Sequence, residues 1–292
     1  MTALRQIIDG FGTGSIYAAL ALALVLVHRA TGVINFAQAQ MAVFSAYIAW
    51  SLTSIGVPVW AAIVIAIAAS MITGASVERV LIRRFENSEP LVTIVVTVGL
   101  LIVTNGIVSL IWGSVLKQFP SVFPGGGIDI AGLGISWTTI GTIVVLLVVI
   151  VALQVLFTRT RLGLAFRAVA DNPESSALSG LPVGRLLMFG WALAAAVGAL
   201  AAVMVAPKLT LSPEMMDTVL IYALAAAVLG GLDSPFGAVV AAWLIGITEN
   251  LAGTYIGLVG NDLKISVPLV LMGLVLFLRP QGLFGRREVE RV

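Results

Sequence analysis

Long apolar runs separated by short polar breaks account for most of the 292-residue chain. A helix needs about 20 residues to cross roughly 30 Å of hydrocarbon, and most of the runs reach that length. Every run is continuous rather than alternating apolar with polar, which excludes the strands of an outer-membrane barrel and indicates helices. The runs cover residues 7–27, 33–54, 58–82, 90–113, 137–158, 187–206, 218–230, 236–256 and 265–278, of which 218–230 and 265–278 are short.

This pattern predicts an all-α integral membrane protein, a polytopic bundle of about eight to nine transmembrane segments. We expect a single transmembrane domain over residues 1–292. A broken helical hairpin is predicted near 218–256, because the sequence Gly230 to Pro235 interrupts the apolar pattern. Such a break leaves backbone groups that need partners from protein or from a water-filled path.

Two stretches of the chain resemble each other. Tyr17 stands between Ile and Ala fifteen residues before Gly32, and Tyr222 stands between Ile and Ala fifteen residues before Gly237. Paired interrupted segments in two halves are typical of the substrate path of a transporter. Chance similarity in so apolar a chain is the alternative.

Basic residues are distributed unequally between the two sides of the predicted bundle. Because Lys and Arg in short loops stay in the cytoplasm, the bias places the N-terminus outside and the C-terminus inside. The loop 159–186 is then cytoplasmic, and the Gly- and Pro-rich loop 114–136 is external. The cytoplasmic set is Arg29, Arg79, Arg83, Arg84, Arg159, Arg161, Arg167, Arg185, Arg279, Arg286, Arg287 and Arg291, against Arg5, Lys117, Lys208 and Lys264 outside.

The amino-acid composition excludes several further classes of function. The chain is 60% hydrophobic and 10% charged, whereas about a quarter of the residues in a soluble protein are charged. Its net charge of +2 comes from basic residues at the ends of the runs, so it indicates topology and not nucleic-acid binding. The chain contains no cysteine, which excludes disulfides, thiolate metal sites and cysteine nucleophiles.

The middle of the loop 159–186 has the signals of a short capped helix. Asn172 suits the N-cap, Pro173 the first helical position and Glu174 the first turn, where a negative charge favours the helix dipole. Gly180 suits the left-handed position that ends such a helix. The sequence therefore predicts an ordered element at the membrane surface.

Residues for catalysis are scarce. His28 is the only histidine, and it lies at the end of a span, where an anchoring role is favoured. Neither metal-ligand spacing nor a phosphate-binding loop of the G-x-x-x-x-G-K-[ST] type is present. We therefore expect that the chain is not an enzyme and binds no cofactor, and that any ATP used is hydrolysed by another subunit.

Polar residues inside the spans are candidates for a transport path, since they are costly in lipid. Asn35 and Gln38 are three residues apart and are expected to share a helix face. Their amides either line a path or hold helices together. The Glu249 carboxylate suits a proton relay, a substrate ammonium group or a helix contact. The full set of candidates is Asn35, Gln38, Gln40, Asn105, Glu249 and Asn250.

Several motifs resemble those of permease subunits of the branched-chain amino-acid ABC importers, the type found in high-affinity leucine uptake. Ala39 and Arg29 depart from glycines that the family commonly has. The resemblance covers most of the chain. It rests on Gly14, Tyr17, Ala18, Thr31 to Gln38, Thr97, Gly99, Leu100, Arg161, Gly163, Ala165, Arg167, Ala168, Asn172 to Glu174, Ala177, Gly180, Ala227 to Gly231, Ser234, Gly237, Ala238, Arg279, Pro280 and Gly282 to Gly285.

The resemblance implies import by alternating access across the bacterial inner membrane. The implied partners are two ATP-binding cassette subunits, a second permease that is a copy or a relative, and an external solute-binding protein, all beside membrane lipid and without nucleic acid. The central cytoplasmic loop is expected to insert into the ATPase. The residues implied in that coupling are Arg167, Asn172, Pro173, Glu174, Ala177, Leu178 and Gly180.

The sequence alone leaves three alternatives to this function open. One is a stand-alone secondary carrier or channel that uses Glu249 as its ion or proton site. Another is an ABC permease for urea or short amides, since relatives that move such solutes have similar motifs. A purely structural membrane scaffold would transport nothing in any combination of subunits.

Overall fold

The computed structural model of the chain describes residues 2–85, 88–130, 133–257, 260 and 263–285. Arg286, Arg287 and Arg291, which entered the prediction of orientation, lie outside these residues. The helices are α1 Thr2–Thr31, α2 Gln38–Ser54, α3 Val59–Val80, α4 Pro90–Trp112, α5 Trp137–Arg159, α6 Arg161–Asp171, α7 Pro173–Leu178, α8 Val183–Leu209, α9 Asp217–Gly230, α10 Pro235–Tyr255 and α11 Ser266–Leu278; a 3₁₀ turn covers Ile82–Phe85, and the strands are β1 Gly127–Ile130 and β2 Leu133–Ser136.

The predicted all-α membrane architecture is confirmed. Each of the nine apolar runs contains one helix. Within the described residues, six helices are long and apolar enough to cross a membrane, namely α1, α3, α4, α5, α8 and α10. Helices α2, α9 and α11 are shorter than a full crossing requires.

The second apolar run becomes helical later than its pattern predicts. Asn35 lies before α2, so the prediction that Asn35 and Gln38 share a helix face is wrong. The Asn35 side-chain oxygen accepts a hydrogen bond from the Ala37 amide at 3.0 Å, and the Asn35 carbonyl accepts one from the Gln38 amide at 3.2 Å. An asparagine that bonds its own neighbouring backbone forms a turn in place of a helix.

The loop 114–136 contains a β-hairpin that the apolar pattern does not reveal. Strands β1 and β2 pair antiparallel, from Gly127 opposite Ser136 to Ile130 opposite Leu133. Residues 131 and 132 lie outside the described part. Earlier in the loop, Lys117 exchanges two backbone hydrogen bonds with Leu211.

The broken hairpin near 218–256 is confirmed as α9, a break at 231–234, and α10. Gly231 has a φ of +100°, which glycine adopts without steric cost. The Ser234 hydroxyl accepts a hydrogen bond from the Gly237 amide at 3.0 Å and so caps α10. The amides of Leu283 and Phe284 donate to the last carbonyls of α9. Protein therefore covers the break.

The chain divides into two compact units, each with its own tight helix packing. The first comprises Met1–Val25, Phe123–Val144 and Thr218–Val292, and the second comprises Leu26–Val122 and Val145–Asp217. In the first, α1 and α10 approach at glycines; a Cβ on Gly246 would lie 2.6 Å from the Gly14 nitrogen. In the second, α3 and α8 are linked where the Ser70 hydroxyl donates to the Ala195 carbonyl at 2.9 Å.

Candidate functional site

The loop between α5 and α8 is built on α6, an amphipathic helix that the sequence pattern did not single out. Thr160 begins it: the Thr160 hydroxyl accepts from the Gly163 amide at 3.0 Å. The buried face of α6 includes Phe166 and Val169, which pack with residues of α1 and α8 in one apolar cluster. The helix α6 is therefore fixed to the transmembrane bundle and is not a slack linker.

The capped helix predicted at the centre of this loop is confirmed as α7. The Asn172 side-chain oxygen accepts from the Ser175 amide at 2.8 Å, and Pro173 occupies the first turn beside Glu174. The helix ends before Gly180, whose φ of +82° is the left-handed conformation expected there.

The predicted coupling residues form an exposed surface. Arg167, Glu174, Ala177 and Gly180 are exposed, and the side chain of Leu178 is 91% exposed. By contrast, Ser176 is buried. Leu178 is thus an apolar side chain on an ordered helix that no other part of the described chain covers. We call the exposed residues of α6 and α7 the loop surface.

An ion pair that sequence reasoning missed lies beside this loop. Arg83 donates from Nε to Glu78 Oε1 at 3.1 Å and from Nη2 to Glu78 Oε2 at 2.7 Å, and it also donates to the carbonyl of Gly184 in the first turn of α8. Glu78 is 1% exposed. The forked pair therefore joins the end of α3 to the helix that follows α7.

Asn35 and Gln38 contact each other, although they do so outside a shared helix. Asn35 Nδ2 donates to Gln38 Oε1 at 3.0 Å, and Gln38 Nε2 donates to the Ala194 carbonyl of α8 at 3.0 Å. Both residues are buried. Their amides link α2 to α8 in this conformation, as interhelical hydrogen bonds do.

Gln40 and Asn105 meet the segment between α8 and α9. Gln40 Nε2 donates to the Pro213 carbonyl and to Asp217 Oδ1, both at 3.1 Å. Asn105 Nδ2 lies 3.5 Å from the same Pro213 carbonyl. The structure thus brings the predicted residues Gln40 and Asn105 together at one carbonyl group. It also places Asp217 there, which no local pattern had indicated.

Glu249 lies in the first unit, whereas Asn35, Gln38, Gln40 and Asn105 belong to the second. Its side chain is buried, and its Oε2 accepts a hydrogen bond from the Tyr17 hydroxyl at 3.0 Å. Asn250 beside it is half-buried. Among the described residues, no three His, Asp or Glu side chains are grouped closely enough to hold a metal ion.

Comparison with known proteins gives matches along nearly the whole chain. A family model described as "Branched-chain amino acid transport system / permease component" matches residues 6–279. The high-affinity branched-chain amino acid transport system permease protein BraD of Pseudomonas aeruginosa is 31% identical, over 99% of this chain and 98% of BraD. LivH of Escherichia coli K12, described in the same words, is 30% identical over 99% and 97%. A probable branched-chain amino acid transport permease protein LivH of Methanocaldococcus jannaschii is 26% identical over 91% and 87%.

Proposed function

The chain belongs to the family of branched-chain amino acid transport permease components, and from that premise we propose that it is the membrane-spanning subunit of an ABC importer. Its solute is a branched-chain amino acid or a related small polar molecule. A permease component moves its solute and is not itself an enzyme. The proposed location is the bacterial inner membrane, which the chain crosses several times.

The exposed Leu178 on the capped helix α7 is the observation that carries this proposal. An apolar side chain facing water on a rigid element suits insertion into a groove of a partner protein. The chain has no phosphate-binding loop of its own, so the ATP that drives an ABC importer is hydrolysed by this partner. Arg167, Asn172, Pro173, Glu174, Ala177, Leu178 and Gly180 are the residues we assign to this contact.

Force applied at α7 has a continuous route into the bundle. Helix α6 is adjacent to α7 and packs through Phe166 against Leu186 and Leu187 of α8. The Arg83 guanidinium then ties the first turn of α8 to Glu78 on α3. Closure of two ATP-binding subunits would therefore move α8 and α3 together and change which side of the membrane the path faces.

The complete importer in this proposal contains two permeases, two ATP-binding subunits and an external solute-binding protein. The loop surface faces the cytoplasm, the N-terminus lies outside and the C-terminus lies inside. Asn35, Gln38, Gln40, Asn105 and Glu249 remain candidates for the path. No cofactor is assigned to this chain, since ATP is bound and hydrolysed by the partner subunits.

Reconstitution in vesicles tests the proposal. Vesicles that contain the chain with its ATP-binding subunits, second permease and binding protein should accumulate labelled leucine only when ATP is supplied. The solute is identified by replacing leucine with urea or a short amide in the same vesicles. Failure of ATP to drive the uptake of any of these solutes would overturn the proposal.

A stand-alone carrier is the second candidate, and the buried Glu249 carboxyl group favours it. A carboxyl group beside the Tyr17 hydroxyl inside a membrane bundle is an arrangement that proton-coupled carriers use. Vesicles that contain this chain alone separate the two functions. Uptake of leucine driven by a proton gradient, without any ATP-binding subunit, would establish the carrier.

A further inference from the structure

A cluster of hydrogen-bond acceptors lies where α2 meets the segment between α8 and α9. Its members are the side chains of Gln40, Glu214 and Asp217 with the carbonyl of Pro213, and we call it the acceptor cluster. Gln40 Nε2 donates to both the Pro213 carbonyl and Asp217 Oδ1 at 3.1 Å. Asn105 holds the same carbonyl from α4.

The side-chain oxygen of Gln40 is the unusual atom of this cluster. Gln40 is 1% exposed, and its Oε1 accepts no hydrogen bond from the described part of the chain. Rotating the amide by half a turn would place this oxygen against a carbonyl and a carboxylate, so the orientation of the group is fixed. A buried acceptor without a donor is costly, and a ligand that donates would relieve the cost.

Charge at the cluster is negative. Asp217 receives its hydrogen bond from a neutral amide, and the carboxylate of Glu214 lies close enough to repel that of Asp217. Both acidic residues are exposed. Gln40 therefore brings an acceptor oxygen without a donor to a segment that carries two carboxylates, and the chemistry that fits this set is a cation with several N–H donors.

The cluster lies inside the depth of the membrane. Trp50 and Trp112 stand toward the ends of α2 and α4, where tryptophan marks a membrane–water interface. Gln40 precedes Trp50 by about 15 Å along α2, and Asn105 precedes Trp112 by about 10 Å along α4. Exposed carboxylates at this depth are not stable against lipid, so they face a water-filled cavity or a partner subunit.

We propose that the acceptor cluster binds the ammonium group of the solute on its way across the membrane. The Gln40 oxygen and the Asp217 and Glu214 carboxylates accept from its three N–H groups. This inference rests on the proposed import function and specifies it, because a solute that carries a primary ammonium group is recognised while a neutral amide or a carboxylic acid is not.

The absence of native cysteine makes a direct test possible. Ser212 is half-buried beside Pro213, and Ser212→Cys places the only thiol of the chain next to the cluster. In the assembled importer, the rate of labelling by the trimethylammonium derivative of ethyl methanethiosulfonate, divided by that by the sulfonate derivative, should be about tenfold higher at this thiol than at Gly125→Cys in the loop 114–136, since the cluster attracts cations. Leucine and isopentylammonium should slow the labelling, and isocaproate should not.

Two variants and a control connect this protection to the cluster. Asp217→Asn and Glu214→Gln are each combined with Ser212→Cys. Each should raise about tenfold the concentration of isopentylammonium needed to slow labelling, because each removes a charge-assisted contact. Glu214 makes no side-chain hydrogen bond within the described residues, so its variant should fold even where the Asp217 variant does not. Glu89→Gln, an exposed acid before α4, removes the same charge elsewhere and should leave protection unchanged.

Three results would overturn the inference: a thiol that neither reagent labels, labelling that isopentylammonium does not slow, or protection that survives both acidic substitutions. Labelling is measured without turnover, so it is independent of transport. ATP-driven leucine uptake in the same vesicles reports on the import function itself. Normal uptake without protection would refute only the ammonium site, whereas protection without uptake would support the site and refute import.

Discussion

The rings of Tyr17 and Tyr222 stack with 4.6 Å between their centroids and 2° between their planes. The Tyr17 hydroxyl also donates a hydrogen bond to the carboxyl group of Glu249 at 3.0 Å. The two tyrosines occupy equivalent places in the two similar stretches of sequence. Helices α1 and α9 therefore meet at these two tyrosines, and the Tyr17 hydroxyl bonds a buried acid there.

The Tyr17 hydroxyl should contribute to stability through its bond to Glu249. Tyr17→Phe should lower the free energy of unfolding by about 1–2 kcal/mol, because it leaves a buried carboxyl oxygen without this donor. Tyr47→Phe is the matched control, since the buried Tyr47 hydroxyl has no partner in the described chain. Its removal should be neutral or stabilising. Reversible unfolding in mixed micelles measures both, and equal losses would contradict the role of the Tyr17 bond.

The two parallel hydrogen bonds from Arg83 to Glu78 should matter more for coupling than the positive charge of Arg83. Arg83→Lys keeps the charge but loses the two parallel bonds to Glu78, so the leucine transported per ATP hydrolysed should fall about threefold or more. Arg84→Lys, at an exposed neighbouring position, should leave this ratio unchanged. Uptake and hydrolysis measured on one vesicle preparation give the ratio. If the two variants behave alike, the ion pair has no part in coupling.

Leu178 should be needed for assembly with the ATP-binding subunit and not for folding. Leu178→Glu should weaken that association by more than about tenfold, because a carboxylate would be buried without a partner. The unfolding temperature of the isolated permease should not change, since the side chain is 91% exposed. Leu116→Glu, in the loop 114–136, is the control. Co-purification of the ATP-binding subunit with either variant measures the effect, and full recovery with Leu178→Glu would refute the contact.

The side of the membrane on which each loop lies should follow the unequal distribution of basic residues. Ser175→Cys in α7 should resist a membrane-impermeant thiol reagent in intact cells and react in inverted vesicles. Gly125→Cys, in open space within the loop 114–136, should behave in the opposite way. Because the chain has no cysteine of its own, each signal comes from a single position. Labelling of Ser175→Cys in intact cells would place α7 outside and rule out its contact with a cytoplasmic ATPase.

The crossing of α1 and α10 should tolerate no added methyl group. A Cβ on Gly246 would meet the Gly10 carbonyl and lie 2.7 Å from the Gly14 Cα, and backbone atoms cannot rotate away. Gly246→Ala should therefore lower the free energy of unfolding by about 1–3 kcal/mol. Gly106→Ala in α4 meets only open space and should raise it by up to about 1 kcal/mol through helix propensity. A neutral Gly246→Ala would show that the helices separate at little cost.

Local signals predicted the elements that local chemistry determines. The apolar runs located nine helices, and Asn172, Pro173 and Gly180 located α7, because caps and left-handed positions depend on neighbouring residues. Local reasoning was wrong about Asn35, since its side chain bonds the backbone two residues later and delays the start of α2. Apolar content alone cannot distinguish that turn from a further turn of helix.

Contacts between residues far apart in the chain could not be predicted from a single sequence. Asp217 bonds Gln40 from 177 residues away, and no spacing rule connects them. The ion pair between Arg83 and Glu78 was not predicted for a different reason. The two residues are five apart, and residues at that spacing do not lie on one face of an α-helix. The 3₁₀ turn at Ile82–Phe85 brings their side chains together.

The C-terminal cover of the broken hairpin has a consequence for biosynthesis. Leu283 and Phe284 supply the amides that satisfy the carbonyls of Leu229 and Gly230. A ribosome translates α9 and α10 before it reaches these donors, so the nascent chain holds an incomplete hairpin until residues 283 and 284 have been synthesised. Premature stop codons shortly before position 283 should therefore produce chains that insert into the membrane and are then degraded by quality-control proteases.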